Sequence, residues 1–199
     1  MWALVEDNAI TKIINNPKGM IIDDIQYSRK IFSLWSVSEK EAKGIYEVVF
    51  NNTNKKDEAY YTNTNQSFAF ADGVFTASYG SATAKAHADA NAVDEDGDEL
   101  DPVVVIPGLK TIRIRDIKSQ AASILAQTDW YIVRKADANT AVPSAITTHR
   151  AAVRTKCAAM ETAITNASNT AAIETLYTHT RQEDGSVTRP LGQLPTLED

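Results

Sequence analysis

The spacing of apolar residues changes period part-way along the chain. Residues 1–86 hold short apolar runs broken by turn signals, and residues 103–178 hold longer stripes at helical spacing. In the first region Trp2–Glu6 and Ala9–Ile14 flank Asp7-Asn8, a pair that tolerates the positive φ of a tight turn, so a hairpin is expected. Asn16-Pro17-Lys18-Gly19 then breaks the chain. Ile31, Phe32, Leu34 and Trp35 form an apolar knot. Ser36 and Glu39 have the spacing of a capping box, and Gly44 stands where a short helix would stop. Residues 45–50 read as a buried strand. Asp72-Gly73 is a type I′ turn signal that sets Phe70 against Phe75, Phe68 against Ala77 and Gln66 against Tyr79. Phe68, Phe70, Phe75 and Tyr79 are thereby expected on one face.

In the second region Ile114, Ile117, Ala121 and Ile124 recur at steps of three and four, one stripe of a helix. Residues 129–142 interrupt the pattern, and Pro143 is placed to begin the next helix. Ile146, Val153, Cys157, Met160 and Ile164 follow heptad-like spacing, with Arg150 at the position that completes it. Ala151, Ala152, Ala158 and Ala159 flank this stripe and allow close approach of another helix. Such a stripe suits a helical hairpin closed on itself or on the β-rich half. A seam for another chain is the sharper alternative, and so short a stripe favours the closed hairpin. A third short helix is expected at residues 171–177.

Between the two regions the chain is acidic. Asp89, Asp94, Glu95, Asp96, Asp98, Glu99 and Asp101 repel one another and offer little to bury, so residues 87–102 read as a solvated linker or loop. The expected fold class is α+β. A small β-rich docking domain with hairpins (1–86) is followed by the acidic linker (87–102), a helical hairpin or short bundle (103–178) and an extended C-terminal tail (179–199). The 199 residues can bury a sizeable core without disulfide or metal. Twenty basic against 26 acidic residues argue against nucleic acid as a partner. No apolar run is long enough to span a bilayer, and the start lacks a basic n-region, so synthesis in a cytoplasm without a signal peptide is expected.

The residue types that do chemistry are present but not in working combinations. His87, His149 and His179 are scattered, each without a His or Cys at ligand spacing, and read as solvated side chains. Cys157, the sole cysteine, falls on a helical stripe and reads as a small hydrophobe. Asp94, Asp96 and Asp98 alternate as calcium ligands can, but Gly97 precedes Asp98 and the twelfth position is Val105, which breaks the EF-hand pattern. No nucleophile elbow or phosphate-binding glycine loop occurs. No catalytic residue, cofactor, metal or small-molecule substrate is therefore expected.

Two groups of segments carry a resemblance. Trp2-Ala3-Leu4-Val5-Glu6, Ile31-Phe32-Ser33-Leu34-Trp35-Ser36 and Gly44-Ile45-Tyr46 are similar to an N-terminal module of tail and tail-fibre-associated proteins of tailed bacteriophages, marine phages above all. Thr128-Asp129-Trp130-Tyr131-Ile132-Val133-Arg134-Lys135, Ala141-Val142-Pro143 and His149-Arg150-Ala151-Ala152-Val153-Arg154 resemble the C-terminal region of phage tail-fibre proteins and of tail-fibre assembly proteins. The resemblance implies a structural subunit of the virion tail, a baseplate adaptor or fibre-associated protein, that binds other tail proteins and copies of itself. A tail-fibre assembly chaperone is the alternative, and a glycan-degrading enzyme a third. Aromatic residues and Arg dominate many interfaces. Trp2, Trp35, Trp130, Tyr131, Arg134 and Arg150, with the stripe Ile146, Val153, Met160 and Ile164, are the expected interaction residues. Trp130 and Tyr131, placed beside a helix–helix connection, would alternatively close the end of the bundle.

Overall fold

The computed structural model describes residues 1–64 and 66–197. The chain has a mixed α+β fold and divides into two compact units, residues 1–83 and 84–199. The division falls three residues before the expected end of the β-rich region.

Unit 1 is built on β1 (Trp2–Glu6), β2 (Ala9–Ile14), β3 (Met20–Ile22), β4 (Ile25–Tyr27), α1 (Ile31–Leu34), α2 (Val37–Glu41), β5 (Ile45–Asn51), β6 (Tyr61–Thr62), β7 (Ser67–Ala71) and β8 (Val74–Ser78), with β9 (Thr83–Ala84) at the boundary. Its main sheet has the order β2-β1-β5-β8-β7. The two expected hairpins form its ends. Asp7 and Asn8 both adopt positive φ between β1 and β2, and Asp72 and Gly73 do so between β7 and β8. Asp23-Asp24 makes a third such turn, between β3 and β4, that the sequence reading passed over. β5 and β8 run parallel, which a local reading of hairpins does not anticipate.

Side chains of successive strand residues point to opposite faces, so the sheet of unit 1 carries an apolar cluster on each. Leu4, Ile14 and Ile45 on one face are covered by Met20, Ile22, Ile31 and Phe32, with Trp2, Tyr27 and Trp35 at the margin. Ala3, Val5 and Phe75 on the other are packed by Ile10, Tyr46, Val48, Phe68 and Phe70. Phe70 faces Phe75 and Phe68 faces Ala77 as expected. Tyr79 lies past the last pair, Ser67 with Ser78, and stacks instead under Lys55. The expectation that residues 45–50 are buried holds for Ile45 but not for Val49 and Phe50, about half exposed at the far end of β5. The capping box forms as read: Ser36 Oγ accepts from the Glu39 amide, and Glu39 accepts from the Ser36 amide at 2.8 Å. The Ser36 amide and the Ser36 hydroxyl, both donating to it, hold the Glu39 carboxyl below its usual value. Gly44 follows with φ +71°, and a Cβ there would strike the Val5 carbonyl oxygen, so only glycine fits.

Unit 2 contains β10 (Ala90–Asn91), β11 (Val105–Ile106), α3 (Leu109–Ala126), α4 (Asp129–Ala138), α5 (Ser144–Asn166), α6 (Thr170–Tyr177), β12 (Thr180–Arg181) and β13 (Val187–Thr188). α3 and α5 pack together, with α6 against both. Ile117, Met160, Ile164 and Leu191 form the centre, with Ile114, Cys157, Leu176 and Tyr177 around it.

Three readings of this half are corrected. Residues 87–102 are not a linker: β10 pairs with β11, Val93 bridges Glu99, and Asp94 Oδ1 accepts from the amides of Asp96 and Asp98 to make the turn. The like charges sit on the outside of a hairpin arm of unit 2, where water screens them. Residues 129–138, expected to interrupt the helices, form α4. The tail from 179 is not extended. It makes the hairpin β12–β13 around Asp184 and Gly185, and Leu191 then returns to the core, its amide bonding the Leu176 carbonyl. Residues 198 and 199 of that expected tail lie outside the described residues.

Candidate interaction surfaces

The ten expected interaction residues separate by burial. Ile146, Val153, Met160 and Ile164 line α5 and are buried, so this stripe belongs to unit 2 itself and is not an open seam for another chain. Arg150, on the same helix, is corrected likewise. Its guanidinium donates to the Leu125 carbonyl and Thr128 Oγ1, both at 2.7 Å, and pairs with Asp129 Oδ1 at 2.8 Å. It thus ties the end of α3 and the start of α4 to α5. Trp2 and Trp35 also face inward, Trp2 against Phe32 with ring centroids 5.1 Å apart and Trp35 edge-on to Tyr27 at 5.2 Å. His149, read as solvated, is buried on α5 beside Arg150.

Trp130, Tyr131 and Arg134 do lie at the surface. α4 buries none of its residues; Trp130 is 50% exposed and Val133 65%, with Ile132 also exposed. The Trp130 and Tyr131 rings stack at 3.7 Å, and the Arg134 guanidinium lies 4.9 Å and 5.5 Å from their centroids. A cation over two stacked rings fixes three mobile side chains as one plate. Arg150 binds Thr128 and Asp129, the residues just before the plate.

The arm of residues 88–107 is a second exposed apolar feature, and the sequence reading missed it because the acidic residues masked it. Val103, Val104, Val105 and Ile106 are 49–57% exposed, and Val93 across the ribbon is equally so. The arm is anchored at its base. Asp89 accepts from the Gly108 amide at 2.8 Å and from Thr111 Oγ1 at 2.9 Å, bonds that hold its carboxyl below the usual aspartate value. Gly108 passes so close to the Ala88 backbone that a Cβ would collide with it. The signal that betrays the arm is four consecutive β-branched residues ending at Pro107, a strand-like run.

Two concave features accompany these surfaces. In unit 1 a cleft of about 510 Å³ is lined by Trp2, Pro17, Arg29, Lys30, Phe32 and Ser33. In unit 2 a groove of about 290 Å³ runs between α3 and α5, with Ala121, Ala122, Leu125 and Ala158 as walls and Lys118 and Arg154 at the rim. Lys118 is bridged to Glu161 at 2.7 Å, and that hydrogen bond raises its amine above the usual lysine value. Cys157 is half-buried in the same groove. Among the described residues no three His, Cys, Asp or Glu side chains converge to hold a metal, and no helix is long and apolar enough to cross a membrane.

Comparison with family models, curated proteins and solved structures finds no match.

Proposed function

We propose that the chain is a structural component of a phage virion tail, an adaptor or fibre-associated subunit, and that it acts by binding other tail proteins and copies of itself. One observation carries the binding role: a ten-residue helix, α4, buries nothing while presenting Trp130, Ile132 and Val133 to solvent. Aromatic side chains beside a fixed Arg are the typical anchors of interfaces, because they bury much area at small entropic cost. The tail assignment is supported by the motif similarity of the segments around Trp2, Trp35 and Trp130. In this reading no nucleic acid, membrane or small-molecule substrate is bound, and the protein is made in the host cytoplasm before joining the particle.

Mass spectrometry of purified, salt-washed particles tests the assignment. The chain is expected at a fixed ratio to other tail proteins. Its presence in the lysate together with its absence from washed particles would overturn the virion reading in favour of an assembly chaperone.

A further inference from the structure

The arm of residues 88–107 is an unfinished piece of sheet. A two-stranded ribbon is marginally stable alone, and this one exposes Val105 and Ile106, one to each face, with Val103 and Val104 exposed just before them. Among the described residues β11 pairs with β10 alone, which leaves an edge that offers backbone groups. Whatever covers it must be apolar, and must tolerate seven acidic residues with no basic one among residues 87–101.

The rest of unit 2 supplies that complement. Residues 102–178 carry nine basic against five acidic side chains. The groove between α3 and α5 has walls of Ala121, Ala122, Leu125 and Ala158, small enough to admit β-branched side chains. At its rim Lys118 is neutralised by Glu161, but Arg154 makes no ion pair among the described residues. The arm does not occupy its own groove, since its four apolar residues stay exposed. It leaves the N-terminal end of α3, whereas the groove begins nine residues further on at Lys118, about 14 Å along the helix axis.

We propose that the arm of one copy docks in the α3–α5 groove of a second copy. Arm-to-arm pairing would set seven carboxylates against seven and is disfavoured by repulsion. Arm-to-groove contact joins opposite charges, and it closes either reciprocally as a two-fold pair or head-to-tail into a ring or filament. This deepens the self-association within the proposed function, yet it needs nothing from the tail assignment.

Sedimentation velocity on the full chain tests it. The wild type is expected to associate with rising concentration, and less so at high salt. Val104→Ser combined with Ile106→Ser on the arm, or Ala122→Glu in the groove, should each weaken association about tenfold or more. These sites are exposed, so circular dichroism and the Tm of dilute protein should stay unchanged; Ala158→Glu on the facing helix serves if Ala122→Glu does not fold. The decisive sample mixes the two variants. One intact arm and one intact groove should then form a capped 1:1 pair that neither variant forms alone. A wild type that remains monomeric, an arm variant that associates normally, or a mixture that fails to pair would each overturn the proposal. A monomeric chain still present in washed particles would remove the arm–groove contact and leave the tail assignment standing. An associating chain absent from particles would do the reverse.

Discussion

The hairpin β7–β8 and the arm hairpin β10–β11 begin from similar material and end differently. Both turn tightly at acidic and glycine residues, Asp72-Gly73 in one and residues 94–98 in the other, and both carry branched or aromatic apolar side chains. In β8 the alternation is strict: Phe75 and Ala77 are fully buried while Val74, Thr76 and Ser78 face away. In the arm no residue of either strand is buried. The first hairpin is stabilised by the sheet it completes, through β5 on one side and the cluster around Val5 on the other. The second relies on its turn and on the Asp89 anchor. A hairpin can therefore be specified by local chemistry alone, while its apolar surface stays uncovered by the chain's own core.

The largest expected effect lies in the buried hairpin. Phe75→Ala removes a fully buried ring that contacts Phe68 at 5.9 Å and closes one face of the sheet. Deleting a core aromatic costs about 3–5 kcal/mol, enough to unfold a marginal domain. Urea denaturation followed by circular dichroism should show unit 1 destabilised to that extent. A loss below about 1 kcal/mol would mean that the two hairpins differ less than their burial indicates.

Arg150 comes next and concerns the other uncovered feature, α4. Arg150→Ala removes the charged donor to Thr128 Oγ1 and to the Leu125 carbonyl, which keeps its bonds from the Thr128 amide and hydroxyl, and it releases Asp129. Losing buried, charge-assisted bonds of this kind costs roughly 2–4 kcal/mol. The plate of Trp130, Tyr131 and Arg134 should then lose its fixed position. Faster amide exchange across α4, with α5 still protected, is the expected signature. Unchanged exchange in α4 would show that Arg150 does not position it.

How much of this was legible in the residues depends on whether the signal was local. Asp7-Asn8, Asp72-Gly73 and the Ser36–Glu39 capping box each act over two to four residues, and each was read correctly. The stripe through Ile146, Val153, Met160 and Ile164 was visible, but not what it packs against, because its partners Ile117 and Leu191 lie far away in sequence. α4 was missed since apolar residues crowd 130–133 without a helical gap, although Asp129 at its start is a favourable first-turn residue. The arm was missed for the opposite reason. Seven carboxylates signalled solvation, and nothing in their pattern announced that Asp89 and Asp94 accept backbone amides. Of the expected interaction residues, those on regular apolar stripes became core, and Trp130, Tyr131 and Arg134, off any stripe, stayed outside.

The Asp89 anchor sharpens the comparison through pH. Hydrogen bonds from Gly108 and Thr111 favour the carboxylate, so its pKa in the folded chain is depressed. A depressed pKa contributes stability that is fully present above the unfolded value near 3.8 and is lost as pH falls through the folded one. Acidification below about 4 should therefore loosen the base of the arm before the β7–β8 hairpin, which no carboxylate anchors in this way among the described residues. Amide exchange measured between pH 3 and 5 (roughly the window in which aspartates titrate) should show Gly108 losing protection in the wild type. In Asp89→Asn that pH dependence should vanish. Persistence of the acid-induced loss in the variant would assign it to another group.

The smallest effect is the most telling for the arm. Ile106→Ser changes a side chain that is 55% exposed and contacts no core cluster, so the isolated chain should lose less than about 1 kcal/mol. Measured on dilute protein, its melting curve should overlay that of the wild type. Measured at rising concentration the two curves should separate, because a contact made only in the assembled state stabilises folding by mass action. If instead Ile106→Ser destabilises the dilute chain as strongly as Phe75→Ala does, the arm is held by intramolecular packing, and its apolar residues are not reserved for a second copy.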